Sequence, residues 1–329
     1  MNIAVIGGSG FIGTRLIDIL CKNGYIVKII DKSVSNIYPD FTDVMDIRSE
    51  NFIDIDLQKF SSIINLAAEH RDDVSPKSLY DETNVLGARN VINVAIKNNI
   101  NKIIFTSSVA VYGFAPLGTD ESGAIKPFND YGRTKWEAEE LYKGWQAQDP
   151  ENRILVIVRP TVVFGERNRG NVFNLLRQIA SGKFVMVGDG LNRKSMAYVG
   201  NVAAFLRYSL GLKPGVHIYN YIDKPDFSMN ILVAHVNKLL GRPSGIKFRL
   251  PFPLGLLIGS GFDLVAKITG KKFPISAIRV KKFCANSVYE SAIESTGFIP
   301  PVPLMDAIEK TVRFEFIEDH KNEHVFYSE

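Results

Sequence analysis

A tyrosine and a lysine four residues apart, Tyr131 and Lys135, follow Ser108 by 23 residues along the chain. On a helix this Tyr–Lys spacing places both side chains on one face. A nearby ammonium group favours the phenolate and lowers the pKa of a tyrosine towards neutrality, while a serine hydroxyl can hold the same substrate oxygen. The three residues are therefore predicted to be catalytic in a reaction that moves a proton and a hydride. Alone, the Tyr–Lys spacing is also typical of a solvated amphipathic helix.

The amino-terminal motif decides between these interpretations. An apolar run over residues 2–6 leads into Gly7, Gly10 and Gly13, and a second apolar run ends at Asp31. Glycines at this spacing permit a tight strand-to-helix turn, let a pyrophosphate approach bare backbone, and let the helix pack close to the sheet. The helix N-terminus then offers free N–H groups to the phosphates. The whole pattern predicts dinucleotide binding.

The carboxylate of Asp31 indicates which dinucleotide binds. It lies 18 residues after Gly13, where an acid accepts both hydroxyls of an adenosine ribose and repels a 2′-phosphate. NAD is therefore predicted in preference to NADP, although the neighbouring Lys32 could soften that preference.

Alternating elements predict the fold that positions these residues. Strand-like runs cover residues 3–7, 26–30, 62–66, 102–106 and 154–158, and helix-like segments cover 14–22, 80–98 and 131–146. Strands that are apolar throughout and alternate with helices indicate an α/β fold with a doubly wound parallel sheet of the Rossmann type. We predict an NAD-binding domain over residues 1–165. Residues 166–329 are predicted to form mainly a smaller, interleaved substrate lobe, with some segments returning to the first domain.

Short polar or small-residue segments follow the strand-like runs, where ligands bind in such sheets. Asp46 and Ile47 suit the amino group and the face of an adenine, although a surface turn is the alternative. Leu66, Ala67 and Ala68 allow backbone to lie against a dinucleotide, and a polar cluster over residues 69–73 follows them.

Composition limits the other function classes. The chain has 329 residues, a net charge of +4 and two cysteines, and neither its cysteines nor its histidines have metal-ligand spacing. We therefore predict no metal and no disulfide framework. The basic pairs Lys271-Lys272 and Lys281-Lys282 lack an aromatic nucleic-acid motif, so a solvated surface is predicted, with an anion-binding lobe as the alternative. Because strand-like sequence begins at residue 2, no signal peptide is expected and the predicted location is cytoplasmic.

One apolar stretch, residues 250–268, raises the question of a membrane. Prolines, glycines and Asp263 interrupt it, so it is predicted to be too short and too broken to span a bilayer. A buried or lobe-capping helix is expected, with peripheral membrane contact as a minor alternative.

The sequence resembles the extended short-chain dehydrogenase/reductase superfamily, and in particular its NAD-dependent epimerase/dehydratase family acting on nucleotide sugars. The motifs that carry this resemblance span nearly the whole chain: Gly7-x-x-Gly10-x-x-Gly13, Asp31, Asp46-Ile47, Leu66-Ala67-Ala68, Asn84, Ser108, Tyr131-x-x-x-Lys135 and Arg159-Pro160.

The resemblance implies a role for each motif. Residues implied to bind the cofactor are Gly7, Gly10, Phe11, Ile12, Gly13, Asp31, Asp46, Ile47, Leu66, Ala67, Ala68, Tyr131, Lys135, Pro160 and Val163. Those implied to contact a nucleotide-sugar substrate are His70, Ser108, Asn171, Arg193 and Lys194, although His70 is equally compatible with a surface or core position. The helix-like segments 80–98 and 131–146 correspond to the pair that forms a homodimer interface in the family.

The loop that begins at Ser108 separates the reactions of this family. Dehydratases carry two acidic residues where this chain has Val109 and Ala110, and neither can protonate a leaving hydroxyl. The loop resembles that of nucleotide-sugar 4-epimerases, so a UDP-hexose or UDP-N-acetylhexosamine 4-epimerase in cell-surface polysaccharide synthesis is predicted. A 4-keto reductase or dehydrogenase would use the same three residues. A non-catalytic NAD-binding regulator is less expected, because the three residues are all present.

Overall fold

The computed structural model describes residues 1–71, 74–246, 248–270, 276–320 and 323–327. Asp72 and Asp73 of the polar cluster and the basic pair Lys271-Lys272 lie outside the described residues.

A seven-stranded sheet, parallel throughout, forms the centre of the fold, with the strand order β10-β6-β5-β4-β1-β2-β3. Its strands are β1 (Asn2–Ile6), β2 (Ile26–Asp31), β3 (Thr42–Val44), β4 (Ser62–Asn65), β5 (Lys102–Thr106), β6 (Ile154–Pro160) and β10 (Gly215–Tyr221). Two further pairs lie outside it: β7 (Val162–Phe164) with β9 (Met196–Tyr198), and β8 (Met186–Val187) with β11 (Arg249–Leu250).

Helices cover both faces of the sheet and form much of the second half of the chain. They are α1 (Phe11–Lys22), α2 (Ser78–Tyr80), α3 (Gly87–Lys97), α4 (Asp130–Gln146), α5 (Asn171–Ala180), α6 (Val199–Ser209), α7 (Met229–Leu239), α8 (Phe252–Thr269), α9 (Ala277–Cys284) and α10 (Leu304–Phe316). A π-helical segment, Asp81–Leu86, joins α2 to α3.

Successive apolar residues of each central strand enter two different cores, because strand side chains alternate between faces. In β1, Ile3 and Val5 pack with α1 and α6, whereas Ala4 and Ile6 pack with α3 and α4. Burial on both faces explains why these strands are apolar throughout. The predicted doubly wound parallel sheet is therefore confirmed.

The second half of the chain contributes both to the sheet and to a separate core. Strand β10 pairs with β6 at the edge of the sheet, and α6 packs against α1. A third core forms among α5, α7 and α10. The domain boundary at residue 165 stays a prediction.

Helix α8 differs from its sequence-based expectation. It is one continuous helix of 18 residues, and only Gly255 and Gly259 in it are buried. Pro253 lies in its first turn, where a missing N–H costs nothing. A Cβ at either glycine would approach neighbouring atoms within 3 Å, so the glycines serve close packing rather than a break. The expected helix therefore forms, but it is continuous rather than interrupted, and it is mostly exposed rather than buried.

Candidate active site

The glycine turn forms a close-packed cradle at the carboxyl end of β1. Gly7 has a φ of +75°, and a Cβ there would lie 2.6 Å from the Ala67 nitrogen. At Gly13 a Cβ would lie 2.4 Å from the Gly8 carbonyl oxygen, so α1 can pack this closely only without a side chain. Gly10 precedes α1 without a side-chain cap, which leaves its first-turn N–H groups available to a pyrophosphate.

Asp31 ends β2 beside this cradle. Its carboxylate accepts hydrogen bonds from the Ser9 nitrogen at 3.0 Å and the Ser33 nitrogen at 3.1 Å. These bonds fix the acid next to the glycine turn, which is the position that recognition of an adenosine ribose requires.

Replacing Asp31 with alanine is expected to weaken NAD binding and to narrow the preference for NAD over NADP, because the charge that repels a 2′-phosphate is removed. Fluorescence titration with both dinucleotides measures the ratio of their Kd values. Asp43→Ala is the matched control, since Asp43 lies on neighbouring β3 and pairs with Lys28 at 2.7 Å. Equal or tighter binding of NADP by the wild type would overturn the assignment.

The residues predicted around the adenine and the middle of the cofactor occupy two loops. Asp46 forms an ion pair with Arg48, and this hydrogen bonding holds the pKa of the Asp46 carboxyl below its usual range. Ile47 is buried under α3. Ala67 and its neighbours follow β4, and the Ala67 nitrogen donates to the Asn65 side chain at 3.1 Å. Their cofactor contacts stay predictions.

Ser108 and Tyr131 come together through a close approach of two backbones. Ser108 begins a short 3₁₀ helix after β5, and its Oγ accepts a hydrogen bond from the Ala110 nitrogen at 3.1 Å. Tyr131 lies in the first turn of α4, followed by Gly132, where a Cβ would lie 2.4 Å from the Ala110 oxygen. Only glycine permits this contact, and the phenol of Tyr131 is hydrogen-bonded to Ser108.

Lys135 lies one turn further along α4 and is buried. Its Nζ donates to the Thr106 carbonyl at 2.8 Å and lies 4.7 Å from the centre of the Phe105 ring. Burial lowers its pKa to about 7, against a smaller opposing effect of Glu139. Lys135 is therefore held by the last residues of β5, the strand that also leads to Ser108.

The pKa of Tyr131 differs from the sequence-based expectation. Burial raises it to about 12, and among the protein's groups the hydrogen bond with Ser108 opposes that rise. Lys135 does not contribute to lowering it, and the Lys135 ammonium instead donates a hydrogen bond to the Thr106 carbonyl. The protein's own groups thus keep the phenol protonated at neutral pH.

The buried Lys135 makes the free energy of unfolding depend on pH. Its pKa is about 7 in the folded protein against an ordinary 10.5, so the unfolded chain binds more protons between these values. This residue therefore adds stability as the pH rises through that window. Urea unfolding at several pH values measures the free energy of unfolding of the wild type and of Lys135→Met. As the pH rises through this window, the free energy of unfolding should increase for the wild type relative to the variant. A difference that is constant with pH would contradict the buried, deprotonating lysine.

A buried polar network supports this site, and the sequence motifs did not reveal it. Arg159 on β6 forms a two-pronged ion pair with Glu139 of α4, at 2.9 and 2.6 Å. The same guanidinium donates to the Tyr112 hydroxyl at 2.6 Å, and Ser107 donates to Glu139 at 2.5 Å. The network ties α4 to β6 and to the loop that carries Ser108. The sequence analysis identified Arg159-Pro160 only as a family motif. Its acidic partner Glu139 lies 20 residues earlier along the chain, and only the fold shows that the two side chains meet.

His70 and Asn84 border the site on the side of β4. The side chain of Asn84 is buried, and its amide donates to the Glu69 carbonyl at 3.0 Å and to the Thr134 hydroxyl at 2.9 Å. Loss of solvation beside neighbouring protein atoms, and then the charge of Lys135, lower the pKa of the His70 imidazole. His70 itself is exposed, and its place between cofactor and substrate stays a prediction.

Two further predicted groups lie on the substrate side. Pro160 ends β6, and Val163 on β7 packs in the same core as Phe11 and Ile12, which connects the expected nicotinamide segment with the glycine cradle. Asn171 is exposed at the first position of α5.

Arg193 and Lys194, both predicted to contact the substrate, lie before β9 and make hydrogen bonds within the protein. The Lys194 ammonium donates to the carbonyls of Lys282 and Ala285 at 2.9 and 3.0 Å. The backbone nitrogen of Arg193 donates to the Asn286 side chain at 2.7 Å, while the Arg193 side chain is exposed. Lys194 thus anchors the end of α9, and a substrate role for either residue stays a prediction.

Among the described residues, no group of three His, Cys, Asp or Glu side chains could hold a metal ion.

The sequence matches the model of the NAD dependent epimerase/dehydratase family over residues 3–220. The chain belongs to this family. A relative from Escherichia coli O157:H7, N-acetyl-alpha-D-glucosaminyl-diphospho-ditrans,octacis-undecaprenol 4-epimerase, is 49% identical and covers 100% of this chain and 99% of its own. UDP-glucose 4-epimerase from Vibrio cholerae is 27% identical over 95% of this chain and 94% of its own.

Solved structures agree with the fold of this epimerase. UDP-N-acetylglucosamine 4-epimerase from Methanobrevibacter ruminantium M1 superposes with a TM-score of 0.73 at 22% identity, covering 95% of this chain and 97% of that one. The family match and the Escherichia coli relative confirm the prediction of an NAD-dependent epimerase. The glycine turn fits that cofactor, because the first-turn N–H groups of α1 have no side-chain cap and the Asp31 carboxylate lies beside the turn.

Proposed function

We propose that this epimerase inverts C4 of an N-acetylglucosaminyl group carried on a polyprenyl diphosphate. The observation that carries the chemistry is the meeting of Ser108, Tyr131 and Lys135 at the carboxyl end of β5, in a loop where Val109 and Ala110 offer no acid. These three groups suffice for hydride transfer at a carbinol carbon, whereas elimination of water needs a carboxyl group as well.

Each residue has a defined role in the proposed reaction. Tyr131 takes the proton of the C4 hydroxyl as that carbon is oxidised and returns it when the carbon is reduced on its other face. Ser108 donates a hydrogen bond to the same oxygen. Lys135 would hold the nicotinamide ribose, and NAD, when bound, would supply the hydride acceptor. Its positive nicotinamide is the charge expected to bring the pKa of Tyr131 down from about 12.

The carrier is assigned from the relatives. The names of both relatives include a sugar joined to a diphosphate, which is attached to undecaprenol in one and to uridine in the other. The relative named for the lipid-linked sugar is 49% identical to this chain, and the relative named for the uridine-linked sugar is 27% identical. Gly170 precedes α5 without a side-chain cap, so the first-turn N–H groups beside Asn171 can receive a diphosphate of either carrier. A UDP-linked sugar is the second candidate, favoured by the Vibrio cholerae relative. A cytoplasmic location and a role in polysaccharide assembly belong to the same proposal.

The carrier is tested by comparing kcat/KM for N-acetylglucosaminyl-diphospho-undecaprenol in detergent with that for UDP-N-acetylglucosamine. We expect the lipid-linked substrate to have the higher value by about tenfold or more. A higher value for the nucleotide sugar would assign the enzyme to the second candidate.

A homodimer through α3 and α4 is also proposed, from the family resemblance. Val91, Ala95 and Trp145, three of the apolar positions on these segments, are buried in the chain's own core. Leu86 and Ile96 are 41% and 46% exposed and remain available to a partner. Light scattering at micromolar concentration should give twice the 36.7 kDa chain mass. A monomer mass would reject the dimer.

A further inference from the structure

Helix α8 presents an exposed, entirely apolar face. Its members recur at intervals of three, four and seven residues, which places them on one side of a helix. Their side chains are 39% to 75% exposed. The members of this α8 face are Leu254, Leu257, Ile258, Leu264, Val265 and Ile268.

The opposite side of α8 is packed against protein. A Cβ at Gly259 would lie 2.7 Å from the Ala277 nitrogen, and one at Gly255 would lie 2.6 Å from the Val187 side chain. Asp263 accepts a hydrogen bond from the Ala277 nitrogen at 3.0 Å, so its charge is directed at the start of α9. The outward apolar face is therefore fixed by the packing of α8 on α9 and β8.

The segment that contains α8 and α9 is strongly basic. Between Arg249 and Cys284 the sequence has seven basic residues and one acidic residue, a net +6 in a chain whose total is +4. Among the described residues, Lys267 and Lys281 are exposed, whereas the Lys282 ammonium lies 5.2 Å from the centre of the Phe128 ring. An apolar helix face flanked by cations is complementary to an anionic lipid surface, with acyl chains under the apolar side chains and headgroups beside the ammonium groups.

We propose that α8, together with α9, docks this protein on the surface of an anionic phospholipid bilayer. Among the described residues, α8 alone reaches the length and apolar composition of a membrane span. Its packing through Gly255 and Gly259 keeps it on the protein, so it lies in the plane of the interface rather than across the bilayer. A second copy of this chain is the poorer occupant, because two segments of net +6 would face each other.

The docking surface is connected directly to the substrate side of the molecule. The Asn192 side chain donates to the Phe283 carbonyl of α9 at 2.7 Å, and Lys194 donates to the end of the same helix. These residues lead into β9, which pairs with β7 near the expected nicotinamide segment. Docking would thus hold the substrate side close to the lipid surface.

Flotation of the purified full-length protein with vesicles tests the surface without any sugar substrate, so its outcome is separate from that of the proposed reaction. The wild type should float with phosphatidylethanolamine–phosphatidylglycerol vesicles and much less with phosphatidylcholine vesicles. Leu257→Gln/Leu264→Gln/Ile268→Gln should lower the bound fraction by about tenfold or more. The matched control, Leu117→Gln/Val216→Gln/Ile299→Gln, changes three exposed apolar residues elsewhere and should float like the wild type.

Two outcomes would overturn the proposal. One is a wild type that stays unbound with anionic vesicles, and the other is an α8 variant that floats as well as the wild type. Light scattering on the same variant distinguishes a contact between copies: loss of a dimer together with unchanged flotation would assign the α8 face to a second copy. Unchanged turnover of detergent-dispersed substrate shows that the variant is folded.

Discussion

Replacing Tyr131 with phenylalanine is expected to lower kcat by ~10²–10⁴-fold, because the group that exchanges a proton with the C4 oxygen is lost. The ring remains in place at the start of α4, so the fold and the NAD affinity should be retained. Turnover is measured by separating the two C4 epimers chromatographically, and NAD binding by fluorescence titration of the same preparation.

Tyr142→Phe is the matched control, since it removes a phenol oxygen from the same helix. That hydroxyl accepts a hydrogen bond from the Asn65 amide at 2.8 Å, away from Ser108. Its loss should lower the free energy of unfolding by about 1–3 kcal/mol and leave kcat within a few-fold of the wild type. Activity of Tyr131→Phe within a few-fold of the wild type would refute the mechanism.

Ser108→Ala is expected to cost ~10²–10⁴-fold in kcat, the range for one positioned hydrogen-bonding or acid–base group. The substitution removes the hydroxyl that is bonded to Tyr131 and that also accepts the Ala110 N–H, whereas the close contact of Gly132 with the Ala110 oxygen remains. The measurement is the same epimer assay, with the free energy of unfolding recorded in parallel.

The adjacent serine gives the contrast. Ser107 donates to the buried Glu139 and faces the Arg159 network rather than the substrate oxygen. Ser107→Ala should therefore reduce stability with little change in kcat. The opposite pattern, with Ser107→Ala inactive and Ser108→Ala active, would show that the catalytic serine had been misassigned.

Local sequence predicted the parts of the site that local chemistry determines. The strand, glycine turn, helix and acid from Asn2 to Asp31 all form as expected, because each step depends on residues close along the chain. The spacing of Tyr131 and Lys135 likewise needs only one helix. The sequence could therefore predict the parallel sheet and the three candidate catalytic residues.

Features that depend on distant contacts were missed or misjudged. Strand β10 completes the sheet only through its pairing with β6, and Glu139 finds Arg159 only once α4 lies on the sheet. The burial that raises the pKa of Tyr131 and the direction of the Lys135 ammonium, towards Thr106, are both invisible in the spacing. In α8, Gly255 suggested a broken helix, whereas it permits packing against Val187.

The central claim is that the enzyme epimerises C4 with a hydride that returns to the same carbon. The direct measurement incubates purified enzyme with either C4 epimer of the N-acetylhexosaminyl-diphospho-lipid, without added nicotinamide cofactor, and follows both epimers to equilibrium. The account predicts that both starting materials reach one final ratio without consumption of NADH. A requirement for stoichiometric NADH together with a 4-keto sugar as the reacting species would contradict it and identify a 4-keto reductase.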